Sequence, residues 1–171
     1  YSGMLDANMA SFGQRAIPAY RFDNAKVVVS IGADFLGTWI SPEIYTKQYS
    51  KSRKISAKNP NMAKHYQIEG MMSLTGSSAD ERVTCLPSQY GAVALAIYNA
   101  LSGSAANVSP AINELIKKIA TDLNANKGNA LVVCGSNDAN IQTIVNAINN
   151  AIGAYGTTIS FGSTNNTKKG N

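Results

Sequence analysis

Residues 26–34, KVVVSIGAD, decide the reading of this chain. Val27, Val28, Val29 and Ile31 make a β-branched run that is apolar on both faces and too short for a buried helix. Such a run is a strand with neighbours on either side, and strands buried on both faces belong to parallel sheets covered by helices. The run stops at Gly32. Downstream, Ser41-Pro42-Glu43 opens a helix, with Ser as N-cap and Pro in the first turn. A strand that stops at a glycine can deliver a backbone turn to a phosphate.

The same alternation continues outward. Residues 3–12 carry Met4, Leu5, Met9 and Phe12 and read as a short helix before Gly13, and residues 15–24, with Pro18, read as an ordered connection. Residues 50–62 read as a polar, basic loop. His65–Gly70 is a second strand with a poor pattern, Thr75–Asp80 is a turn cluster, and Arg82–Leu86 is a third strand. QYGAVALAIYNAL, residues 89–101, is apolar on most sides and reads as a buried helix. Ser109 and Pro110 open the best helix, whose stripe is Ile112, Leu115, Ile116, Ile119 and Leu123. Gly128 stands where its C-terminal cap belongs. ALVVC, residues 130–134, is a strand. Asn137 or Asp138 caps the helix that follows, with its stripe at Ile141, Ile144, Val145, Ile148 and Ile152. Thr157–Phe161 is the last strand. The expected fold is therefore α/β: a mostly parallel, Rossmann-like sheet with helices on both faces, a three-layer α/β/α domain over residues 1–162. Residues 163–171 read as a polar, disordered tail.

Length and composition agree with one globular domain: 171 residues, 44% apolar and 15% charged. A chain that begins at Tyr1 reads as an excised piece of a longer one. No apolar run approaches the roughly 18 residues of a membrane span. The net charge is +5, and Lys47, Lys51, Arg53, Lys54 and Lys58 crowd together as a contact for a partner or a membrane surface, or as a solvated loop. Aromatic interleaving is thin (Tyr45, Tyr49) and no RNA-binding signature occurs, so nucleic acid is not expected. Cys85 and Cys134 are the two cysteines and read as buried and unpaired. They supply neither a CxxC motif nor the thiolates of an iron–sulfur cluster. His65, the one histidine, has no second metal ligand spaced around it.

Ligands of open α/β sheets bind beyond the carboxyl ends of the strands. Two such ends are legible, Gly32-Ala33-Asp34 and Gly135-Ser136-Asn137-Asp138, and they make Gly32, Asp34, Gly135 and Asn137 the candidate cofactor-binding residues. The chemistry around them is thin. Gly32 is followed by Asp34 where a dinucleotide fingerprint needs a second glycine, no Walker A lysine motif or GxSxG elbow occurs, and no Arg or Lys closely follows either glycine. Asp34 either caps its own turn or faces a ribose or guanine edge. No residue stands out as catalytic or as a metal ligand.

Several phrases resemble a known family. YRFDNAKVVVSIGADFLGTW (residues 20–39), ADERVTCLPSQYGAVALAIYNAL (79–101) and GNALVVCGSNDANIQTIVNAINNAIGAYGTTI (128–159) are similar to the cofactor domain of molybdopterin oxidoreductases. GADFLGTWISP, AKHYQIEGMMSLTGSSADER and VNAINNAIGAYGTT more narrowly resemble the large iron–sulfur subunit of alternative complex III, a bacterial quinol:cytochrome c oxidoreductase. The resemblance spans roughly residues 14–160. It implies a non-catalytic structural and docking domain that lacks the molybdenum cofactor, with iron–sulfur clusters elsewhere in the parent chain. The implied location is the periplasmic side of the bacterial inner membrane. The implied partners are the cluster-bearing domain of the same chain and the membrane and multihaem cytochrome subunits. The alternative is a working domain that binds molybdopterin guanine dinucleotide at Gly32–Phe35 and Gly135–Asp138.

Overall fold

Val27–Ile31 does form a strand, and every residue of it is buried. The computed structural model describes residues 1–57, 60–104 and 108–165. In chain order the elements are α1 (Ser2–Phe12), β1 (Ile17–Tyr20), β2 (Val27–Ile31), α2 (Pro42–Arg53), β3 (Lys64–Glu69) and α3 (Leu74–Ser77). They continue with β4 (Glu81–Thr84), α4 (Tyr90–Leu101), α5 (Pro110–Ala125), β5 (Ala130–Cys134), α6 (Ala139–Ala151) and β6 (Ile159–Asn165).

The main sheet has four strands in the order β4-β3-β2-β5, all parallel. β2 lies between β3 and β5, with Val27 opposite both Lys64 and Ala130. Burial on both faces explains why β2 and β5 read as unbroken apolar runs. One face is covered by α4, α5 and α6, where α4 packs on both of its neighbours and Tyr66 on β3 donates to Asp122 on α5 at 2.6 Å. The other face meets α2 and α3 through an aromatic cluster: Phe22 stacks on Phe35 (4.3 Å), and Tyr45, Tyr49 and His65 surround the pair. The architecture is the expected three-layer, Rossmann-like α/β/α.

Where structure and reading differ, the reasons are local. β3 had a poor pattern because one of its buried faces is polar: His65, Gln67 and Glu69 are all inside. Their hydrogen bonds to one another and to α2 and α3 replace the apolar packing that a sequence pattern detects. The connection 15–24 contains a strand, β1, whose Pro18 is tolerated because β1 belongs to a separate two-stranded sheet with β6. β6 extends to Asn165, so residues 163–165 are strand rather than tail; residues 166–171 lie outside the described residues. The basic stretch is partly helical, since α2 runs through Arg53. The turn cluster at 75–80 holds the short helix α3. The α5 cap falls at Asn126, with Gly128 two residues beyond. Asp138 rather than Asn137 caps α6, accepting from the N–H groups of Asn140 and Ile141.

Candidate functional site

The chain builds outward from β2 to β3 to β4 and then returns to place β5 on the opposite side of β2. The carboxyl ends of β2 and β5 are therefore the switch point at which ligands of such sheets bind. All four sequence-selected residues, Gly32, Asp34, Gly135 and Asn137, line one crevice of about 320 Å³ there.

Each of the four is engaged by the protein itself. Gly32 N–H donates to Ile68 O at 2.7 Å, and Gly135 N–H donates to Ile31 O at 2.9 Å. Both donors prolong the parallel ladder instead of pointing at a ligand. Gly135 is glycine because a Cβ would fall on the Gly32 carbonyl, and a Cβ on Gly32 would enter the Tyr90 ring. Gly32 also has φ +63°, a left-handed conformation that suits glycine. Tyr90 lies against the space above Gly32, and its hydroxyl accepts from Gly70 N–H at 3.3 Å.

Asp34 organises the turn that carries it. Its carbonyl accepts from the N–H groups of Gly37, Thr38 and Trp39 at 2.8–3.1 Å. Its carboxylate accepts from Thr75 N–H (3.1 Å) and the Thr75 hydroxyl (2.8 Å), which in turn accepts from Leu36 N–H (2.9 Å). The 34–39 turn and α3 are thereby locked together. Replacing Asp34 with alanine should cost about 2 kcal/mol, because two donors on Thr75 lose their acceptor. Urea unfolding checks this: an unchanged midpoint would return Asp34 to the role of a ligand group.

Asn137 ties down the start of the chain. It accepts from Gly3 N–H at 3.0 Å and donates to Ser2 Oγ at 3.2 Å, and a Cβ on Gly3 would fall on the Asn137 carbonyl. The Tyr1 hydroxyl accepts from Ile40 N–H at 2.9 Å, where Ile40 holds a left-handed φ of 54°. The loop after β5 is pinned from below by buried Gln142, which donates to the Cys134 and Ser136 carbonyls. Burial pushes the Cys134 thiol up to about 11 and raises Cys85 as well, so both are neutral thiols at pH 7 and poor ligands or nucleophiles.

A pyrophosphate needs clustered N–H donors and cations. Asp34 is the one charged side chain lining this crevice, and it is an anion. The first free N–H groups of α6 are taken by Asp138. These residues do not fit a guanine dinucleotide.

Beside the crevice, past the ends of β2, β3 and β4, a second hollow of about 430 Å³ is walled by Met71, Leu86, Pro87 and Tyr90 over Asp34 and Glu69. Its surroundings are apolar and open: Met71 is 84% exposed, Met72 67%, Leu74 60% and Leu86 64%. Single exposed apolar side chains are ordinary on a protein surface, whereas several together are not. This rim is not legible in the sequence, because apolar loop residues next to glycine and serine carry no periodic signal. Nor is Tyr90, which reads as one more residue of an apolar helix.

The basic cluster divides. Arg53 forms a two-pronged pair with Asp80 (2.7 and 2.9 Å) and also donates to Ala63 O. Lys51 pairs with Asp23 at 3.2 Å. Lys47 and Lys54 are exposed on α2 and at its end, and no ion pair is formed by either among the described residues. Lys58 lies outside the described residues. No helix among the described residues is long and apolar enough to cross a membrane, and they contain no group of three or more potential metal ligands.

Sheet order, switch point and helix layers define a Rossmann-like α/β domain. Comparison with the models of known protein families and with curated proteins gives no match to this chain.

Proposed function

We propose that this chain is a non-catalytic structural and docking domain of a larger, membrane-associated respiratory oxidoreductase, with electron transfer carried by iron–sulfur clusters elsewhere in the parent chain. One observation carries the non-catalytic part. The N–H groups of Gly32 and Gly135 and the side chains of Asp34 and Asn137 all have partners inside the fold, so the switch-point crevice offers little to a nucleotide. The apolar rim of Met71, Met72, Leu74 and Leu86 supports the docking part. The partner that fits is the cluster-bearing domain or a neighbouring subunit, membrane-bound or multihaem cytochrome, that presents an apolar face. Lys47 and Lys54 offer a second, electrostatic contact to a partner or to lipid headgroups. The oxidoreductase setting and the periplasmic location rest on the phrases at residues 20–42, 63–82 and 145–158.

The test has two arms. Acid release from the purified protein followed by chromatography should yield no guanine nucleotide, and a stoichiometric amount would establish the cofactor-binding alternative instead. Met71→Glu combined with Leu86→Glu, introduced into the full parent subunit, should leave the unfolding midpoint of the domain unchanged and reduce assembly at least tenfold. Undiminished assembly would overturn docking through the rim.

A further inference from the structure

A line of buried polar side chains runs along the α2-facing side of β3. The Tyr49 hydroxyl lies 2.9 Å from His65 Nδ1 and 3.0 Å from the Ser78 carbonyl. His65 Nε2 lies 3.3 Å from Gln67 Oε1, and Gln67 Nε2 donates to Glu69 Oε2 at 2.9 Å. Glu69 also accepts from Arg82 Nε (2.7 Å), Ser73 N–H (3.2 Å) and the Ser73 hydroxyl (2.7 Å). His65, Gln67 and Glu69 are at most 3% exposed.

Donor and acceptor identities orient this line from its far end. A carboxylate only accepts, so Gln67 must turn its NH₂ group to Glu69 and its oxygen to His65. His65 Nε2 must then carry a hydrogen. In the neutral ring Nδ1 is bare, and Tyr49 O–H points to it. The single hydroxyl hydrogen is then withheld from the Ser78 carbonyl. In the imidazolium Nδ1–H donates to the Tyr49 oxygen, and the hydroxyl hydrogen turns to Ser78 O. No heavy atom needs to move between the two arrangements.

We propose that Tyr49 is a two-position hydroxyl switch that reports the protonation of His65 to the segment 73–78. That segment carries Thr75, which holds Asp34, and Ser73, which holds Glu69, so the switch changes the hydrogen bonding of the segment that braces both crevices. The charged groups that face His65 are Arg53 on α2, Asp80 in the turn before β4, whose carboxylate accepts from His65 N–H at 2.7 Å, and Glu69 on its own strand. Arg53 opposes the imidazolium, while Asp80 and Glu69 favour it. The Phe35 ring closes the β2 side at 5.3 Å. Burial dominates and holds His65 down at about 4, which puts the switch at acid pH.

As the one histidine of the chain, His65 gives unambiguous NMR signals. Long-range ¹H–¹⁵N spectra of the full chain at pH 7 should show the Nε2–H tautomer. On acidification the ring should titrate at least one pH unit below an ordinary histidine, and the Ser78 carbonyl ¹³C resonance should move with the same midpoint. In Tyr49→Phe the Ser78 response should disappear. An Nδ1–H tautomer at pH 7, a Ser78 midpoint separate from that of His65, or a full Ser78 response in Tyr49→Phe would each overturn the proposal. If Tyr49→Phe does not fold, the tautomer at pH 7 and the Ser78 midpoint of the unmutated chain decide together.

Discussion

Gly135→Ala is expected to destabilise the domain by about 3 kcal/mol, the upper range for an added methyl in a packed interior. The new Cβ would fall on the Gly32 carbonyl, a backbone atom in the turn that Gly32 N–H ties to Ile68 O. It has no flexible side chain to push aside. Relief requires the carboxyl ends of β2 and β5 to part, which strains the Gly135–Ile31 bond and the hydrogen bonds from Gln142 to the same loop. Gly162→Ala is the control: its Cβ would meet only the Ser160 hydroxyl, at 3.4 Å, and should change stability by less than about 0.5 kcal/mol. Paired urea unfolding of the two variants checks the contrast. A near-neutral Gly135→Ala would mean that the strand ends are not packed as described, and the case against a nucleotide in the crevice would weaken with it.

Acid should destabilise the protein well before its carboxylates titrate. Burial lowers the folded-state value of His65 to about 4, against about 6.5 for a histidine in an unfolded chain. Between these values the unfolded state binds more protons than the native state, so stability falls as pH falls. The contribution is complete above about pH 6.5 and lost on descending through pH 4. The difference of roughly 2.5 units corresponds to about 3 kcal/mol at 1.36 kcal/mol per unit. Carboxylates add their share lower down. Burial pushes Glu69 up, but hydrogen bonds from Arg82, Ser73 and Gln67 outweigh it and hold the carboxyl below its ordinary value. Asp80 is held low by Arg53. Both favour the native state above their unfolded values and lose that effect as pH falls. Unfolding free energies at pH 7.0, 5.5 and 4.5 therefore decline first through His65. A stability that stays flat from pH 7 to 5 would contradict the buried, neutral ring.

The apolar rim and the crevice differ in how they could be seen in advance. Gly32, Asp34, Gly135 and Asn137 were legible as strand-end residues because parallel strands announce themselves as apolar runs and their ends as glycine turns. Their partners were not legible. Nothing local indicates that Tyr90 lies against Gly32, that Thr75 receives Asp34, or that Gly3 docks on Asn137, since these pairs are 58, 41 and 134 positions apart in the chain. The polar face of β3 weakened the strand signal for the same reason. Alternation of His65, Gln67 and Glu69 resembles an exposed face until α2 and α3 are seen to cover it.

The amino-acid sequence by itself determined the class of fold, the central position of β2, the amphipathic helices α5 and α6, and the two glycine ends that meet at the switch of the sheet. These follow from periodicity and backbone freedom, which act over a few residues. Only the tertiary structure decided what the meeting point can do. Whether a glycine N–H faces a ligand or completes a ladder depends on the neighbouring strand, and here Ile68 and Ile31 supply the acceptors. Whether a histidine is a surface group or a buried switch depends on the helix laid over it. Hydrogen bonds between distant segments determine both, and no local pattern encodes which segments will meet.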